Sequence, residues 1–128
     1  QNGREVLATI RGQAATADDF PYLAKTPAKA TKLLLEKTGV SIDDIDLFEI
    51  NEAFASVAIQ SMRELEIGAD VVNLNGGAIS MGHPVGASGA RILLHLALEL
   101  RRRGGRIGAA GLCGGGGQGE ALVIRVTS

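Results

Sequence analysis

The sequence predicts an α/β domain in which a five-stranded, mostly parallel sheet is covered by helices on both faces. Three observations carry this. Segments with strand patterning alternate with segments of helical periodicity, which argues for crossover connections and a parallel sheet. The length of 128 residues suits one layered domain spanning 1–128, not two. Eighteen glycines, well above the average share of about 7%, gather in two tracts, 76–89 and 104–119. Patterned apolar segments flank both tracts, so they read as shaped turns and not as linker.

Residues 6–15 alternate loosely and predict a first strand. Residues 18–27 form a loop broken by Pro21 and Pro27. Residues 28–37 carry Leu33 and Leu34 among Lys and Glu, a helix that Gly39 ends. Residues 45–50 predict a short buried strand. Helix 52–67 then places Ala53, Phe54, Val57, Ala58, Ser61, Met62 and Leu65 on one face. Residues 71–74 predict a further strand. Helix 87–100 is apolar nearly all round, the mark of a helix buried on most sides. It closes on Arg101–Arg103 and Gly104-Gly105, cations and glycine suited to a helix C-terminus. Strands 106–112 and 121–126 complete the order βαβαβαββ. The last two, joined directly, pair antiparallel.

Composition narrows the function classes. Hydrophobic residues make up 45% and charged residues 21%, the balance of a globular chain. A net charge of −1 and the absence of Trp give no footprint for nucleic acid or an anionic membrane. No apolar run approaches the roughly 20 residues of a membrane span. The opening Gln1-Asn2-Gly3 lacks an initiator Met and points to a fragment or a processed product. One cysteine excludes an internal disulfide and a cysteine-based metal cluster, so no metal is expected and the compartment is expected to be the reducing cytoplasm.

Loops after the C-terminal ends of parallel strands carry the functional groups of such sheets. Strand 45–50 delivers Asn51-Glu52-Ala53-Phe54. Strand 71–74 delivers Asn75-Gly76-Gly77-Ala78 and runs on to Gly82-His83-Pro84. Strand 106–112 delivers Cys113 and four glycines. Shared topology predicts Asn51, His83 and Cys113 on one rim. Each has a plainer reading. Asn51 suits a helix N-cap, His83 suits a turn, and a lone cysteine suits a small buried hydrophobe. Glycines behind a cysteine let backbone N–H groups approach a ligand and stabilise an anion. Together the residues point to acyl transfer with thiol chemistry. A phosphate loop fits less well, because the tract lacks the Lys-Ser/Thr ending and opens no helix.

The three loops together resemble the thiolase family. Asn51-Glu52-Ala53-Phe54-Ala55 is similar to its NEAF motif. Residues 76–89, Gly-Gly-Ala-Ile-Ser-Met-Gly-His-Pro-Val-Gly-Ala-Ser-Gly, are similar to its glycine–histidine–proline block. Residues 113–119, Cys-Gly-Gly-Gly-Gly-Gln-Gly, are similar to its C-terminal cysteine block. The similarity runs from about Leu7 to the end, in the family's order and spacing.

The resemblance implies the second of two thiolase-type layered domains. It also implies acetyl-CoA C-acetyltransferase or 3-ketoacyl-CoA thiolase chemistry: acyl groups pass between coenzyme A thioesters as substrates, with no cofactor beyond them. His83 matches the histidine that activates the nucleophilic cysteine of the N-terminal domain. Cys113 matches the second cysteine, the acid/base that deprotonates the coenzyme A thiol or the acetyl methyl group. Asn51 matches the residue that holds a water facing the thioester oxygen. The backbone N–H of Gly115 matches a donor of the other oxyanion hole, and Ala53 and Phe54 match the acyl pocket. The nucleophile belongs to the other domain, so the chain is expected to act only with a thiolase N-terminal domain or chain, in a homo- or hetero-oligomer, with no nucleic acid or membrane partner. Ketoacyl synthases, which pair two histidines or a histidine and an asparagine, fit less well. The alternative is a non-catalytic oligomerising or binding domain that kept the fold; a scaffold needs none of Asn51, His83 and Cys113.

Overall fold

The structure, a computed structural model, describes residues 3–127. Its strands are β1 (Ala8–Ala17), β2 (Leu47–Ile50), β3 (Ile107–Gly114) and β4 (Gln118–Val126). Its α-helices are α1 (Thr26–Thr38), α2 (Ala55–Leu65), the single turn α3 (Ala78–Met81) and α4 (Ser88–Arg103). The sheet order is β1-β4-β3-β2. β2 runs parallel to β3, while β3–β4 and β4–β1 are antiparallel.

The α/β layering follows the expectation, but the sheet differs from it in two respects. It has four strands where five were expected, and among their pairings only β2–β3 is parallel. The missing strand is 71–74, which makes one parallel bridge, Phe48 to Val72, beside β2. The reason lies in Asn73, which takes the left-handed conformation at φ 49° and turns the chain away. Its side chain then replaces the ladder. Ile50 N–H donates to Asn73 Oδ1 at 2.8 Å, and Asn73 Nδ2 donates to Ile50 O at 2.8 Å.

Two apolar clusters lie on opposite faces of the sheet. Ala28, Leu34, Val57 and Leu65 of α1 and α2 meet Phe48, Ala109 and Val123 on one face. Ile92, Leu96 and Leu100 of α4 meet Leu47, Ala110 and Ile124 on the other. Each fully buried leucine contributes about 1.5–3 kcal/mol of hydrophobic stabilisation. The expectation that α4 is buried on most sides is corrected here. Leu94 is 53% exposed and Leu98 49%, so its outer face is apolar yet uncovered among the described residues. The expected loop at 18–27 is also more ordered, a 3-10 turn (Phe20–Lys25) leading into α1. Pro27 does not break structure there; it sits in the first turn of α1, where its missing N–H costs nothing.

Candidate functional site

The C-terminal end of β2 places Asn51, whose N–H donates to Gly111 O of β3 at 2.9 Å. Asn51 is 1% exposed. It is not the N-cap of the following helix: Phe54 holds that position, with no side-chain cap bond. The Asn51 side chain instead reaches 32 residues along the chain to His83, with Nδ2 3.4 Å from His83 Nε2. Its Oδ1 is buried and unpaired among the described residues. Asn51 and His83 therefore do come together, through a long and weak bond.

His83 is exposed, in the turn between α3 and α4. Gly82 precedes it at φ 90°, a left-handed conformation that suits glycine. His83 Nδ1 lies 2.6 Å from Ser88 Oγ at the start of α4, and Ser88 Oγ donates to Pro84 O at 3.1 Å. A hydroxyl has one proton, so Ser88 accepts from the ring and Nδ1 carries the imidazole proton. Nε2 is left with a lone pair facing Asn51. A histidine in this tautomer is set to take a proton at Nε2. Sequence reasoning missed Ser88, although its place five residues after His83 at a helix start was a usable signal.

Cys113 lies on β3, two residues beyond Gly111, and is half-buried against the cluster of α1 and α2. Gly111 and Cys113 share a sheet face by strand alternation. Burial pushes the Cys113 thiol above its ordinary range, against a smaller opposing pull from its backbone hydrogen bond. The resting group is a thiol and not a thiolate.

Gly115, Gly116 and Gly117 form the turn joining β3 to β4. Gly115 is exposed, with open space where a Cβ would stand. Gly116 and Gly117 adopt φ 92° and 88°, and a Cβ on Gly117 would strike the Asp18 carbonyl. This tract is therefore fixed by backbone geometry. Ala53 and Phe54 form a bend before α2; Phe54 is 63% exposed.

Glu52 braces the whole rim. It accepts from Asn73 Nδ2 and from the Ile79 N–H, each at 3.0 Å. A Cβ on Gly77 would stand 2.5 Å from its carboxyl, so the glycine is what allows this approach. Beneath the rim, His95 Nδ1 lies 2.8 Å from the buried Glu49 carboxylate and His95 Nε2 lies 3.1 Å from Asn75 Nδ2. Among the described residues no group of three or more His, Cys, Asp or Glu could hold a metal ion.

A family profile described as "Thiolase, C-terminal domain" matches residues 4–126. The chain belongs to the thiolase family. This thiolase domain is 51% identical over 125 residues to a "Probable acetyl-CoA acetyltransferase" of Mycobacterium leprae, covering 98% of this chain and 32% of that protein. It is 44% identical over 122 residues to the "3-ketoacyl-CoA thiolase, mitochondrial" of Homo sapiens, covering 95% and 31%. Among solved structures, the Bacillus anthracis acetyl-CoA acetyltransferase superposes with a TM-score of 0.94 at 43% identity, covering 98% of this chain and 32% of that one. The thiolase domain thus spans about a third of the length of the relatives it matches. No helix among its described residues is long and apolar enough to cross a membrane.

Proposed function

We propose that this domain supplies the acid/base half of a thiolase active site, moving acetyl or acyl groups between coenzyme A thioesters. The observation that carries the proposal is the His83 ring, with Nδ1 held by Ser88 and Nε2 presented beside Asn51. In thiolysis, His83 Nε2 takes the proton of a nucleophilic cysteine in the N-terminal part of the protein. The resulting thiolate attacks the ketone carbonyl, and the adjacent carbon–carbon bond breaks. Cys113 gives its proton to the departing carbanion, which requires a resting thiol, and burial favours that form. The Cys113 thiolate next takes the proton of coenzyme A, whose thiolate removes the acyl group. Asn51, through a bound water, and the Gly115 N–H stabilise the oxyanions; one such donor is worth about 10²–10³ in rate. Ala53 and Phe54 line the acyl pocket.

We assign the nucleophile to the two thirds of the relatives' length that lies outside this chain. Exposed Ile79 (64%), Met81 (57%) and Val85 (82%) flank the His83 loop, and Leu94 and Leu98 are uncovered on α4. Large apolar side chains exposed on these two segments favour a covering domain. Assembly into an oligomer and a reducing, cytoplasmic setting belong to the same reading. The test is thiolysis of acetoacetyl-CoA, followed by absorbance. The chain alone is expected to be inactive and to gain activity on mixing with a thiolase N-terminal domain. Turnover by the chain alone would overturn the assignment.

A further inference from the structure

The first turns of α4 grip the His83 loop at two points. Ser88 Oγ accepts the hydrogen bond of the ring Nδ1–H, and Arg91 Nη1 donates at 2.7 Å to the carbonyl of Gly82, the residue before His83. The two bonds do different work: one sets the ring, the other sets the backbone that bears it. Gly82 stands where the chain leaves α3 and reverses, at φ 90°. A glycine peptide there rotates freely unless something holds it. On its other side Gly82 N–H donates to Ala78 O at 2.8 Å, so the Arg91 bond completes the fixation of this residue.

Arg91 is half-buried, and its Nη2 is buried without a hydrogen-bond partner among the described residues. A guanidinium held that way needs a counter-charge, since desolvating an unpaired charge costs several kcal/mol. Arg91, Glu49, Asn51 and His95 line one cavity of about 80 Å³. Glu49 is 5% exposed. The charged and titratable groups facing it are His95 and Arg91 from α4 and Glu52 from the segment after β2. Asn75 Nδ2, a donor, lies 3.1 Å from His95 Nε2. That leaves the His95 proton on Nδ1, pointing at Glu49. Glu52 is turned toward Asn73 and Ile79. Arg91 and Glu49 line this cavity without a direct ion pair between them, and the close contact of Glu49 is His95 Nδ1 at 2.8 Å. Burial raises the Glu49 carboxyl above its ordinary range, and the smaller opposing pulls of His95 and Arg91 do not cancel it.

We propose that Arg91 is a positioning residue for the His83 loop, with the Glu49 carboxylate across the cavity as its counter-charge. Neither residue touches substrate. Arg91 acts by holding Gly82, and through it the placing of His83 beside Asn51, and Glu49 acts only through Arg91. The proposal rests on the thiolase reading for its kinetic arm only. A displacement of about 1 Å at a catalytic group costs on the order of 10² in rate.

The experiment uses the full-length protein with Arg91→Met, Arg91→Lys and Glu49→Gln. Methionine keeps much of the apolar stem and removes the donor and the charge. Steady-state thiolysis of acetoacetyl-CoA gives kcat and KM, urea unfolding gives stability, and a crystal structure of Arg91→Met gives the loop geometry. The expected result is a fall in kcat of about 10- to 100-fold with KM changed less than about threefold. Arg91→Lys should recover part of kcat, and Glu49→Gln should lower it in the same direction by less. The crystal structure should show Gly82 rotated and the His83–Ser88 bond opened. Unchanged kcat in a folded Arg91→Met protein would overturn the proposal, as would a kcat loss fully accounted for by unfolding. If Arg91→Met does not fold, Glu49→Gln decides: kcat lowered at constant KM supports the proposal, and an unchanged kcat overturns it. If the wild-type protein shows no thiolysis, the thiolase reading fails. The crystallographic arm then decides alone, and an undisturbed Gly82 and His83 overturn the positioning role.

Discussion

Replacing Ser88 with alanine isolates the tautomer of His83 from everything else at the site. Ser88 is 1% exposed and its Oγ makes the 2.6 Å contact that places the imidazole proton on Nδ1. A neutral hydrogen bond of this kind contributes about 0.5–1.5 kcal/mol net. Since 1.36 kcal/mol is tenfold, the share of molecules with Nε2 correctly presented should fall about two- to thirteenfold. The effect stays well below the roughly 10⁴ lost when a serine protease's buried, charged orienting aspartate is neutralised. Ser88 is uncharged, and the exposed His83 can replace its partner with water. Stability should change little, by about 1 kcal/mol, because Ser88 N–H still donates to Pro84 O at 2.9 Å. The assay is steady-state thiolysis by the full-length Ser88→Ala protein, with urea unfolding in parallel. An unchanged kcat would refute the tautomer argument, and a loss beyond about 10³ would show that Ser88 does more than orient the ring.

Three further outcomes follow from the same geometry. His83→Ala should reduce kcat by about 10²–10⁴ while stability changes by about 0.5 kcal/mol or less, because the residue is exposed; near-normal kcat with a lower melting temperature would make it a structural turn residue. Cys113→Ser in the assembled enzyme should leave acylation of the nucleophilic cysteine intact and block exchange of the acetyl methyl protons, read by mass spectrometry with acetyl-CoA in heavy water. Burial raises the Cys113 thiol, so its thiolate fraction at pH 8 lies below that of a free cysteine and grows only at higher pH. Iodoacetamide should therefore react with it more slowly than with glutathione at pH 8, and the rate should still be climbing above pH 9; a plateau below pH 8.5 would contradict the burial argument.

The sequence alone determined what depends on local pattern. Apolar spacing at helical periodicity placed α1, α2 and α4 to within a few residues. Gly39 and Gly104, both left-handed in the structure, ended two of them as expected. The three chemistry-bearing loops and their resemblance to thiolases were legible because each is a continuous run of residues. The tertiary structure decided whatever depends on pairs far apart in the chain. A favoured N-cap residue such as Asn51 caps nothing, because α2 begins only at Ala55 with Phe54 at its N-cap, and the Asn51 side chain meets His83 instead. The strand pattern at 71–74 yields a single bridge, because one left-handed residue, Asn73, and its two bonds to Ile50 outweigh the β propensity of Val71 and Val72. The apolar periodicity of α4 is real, yet two of its leucines, Leu94 and Leu98, face outward and are uncovered among the described residues. Ser88, Arg91 and Glu49 carry no motif that names their partners. Ser88 meets His83 where α4 begins, and packing α4 against β2 sets Arg91 and Glu49, about 40 positions apart, around one small cavity.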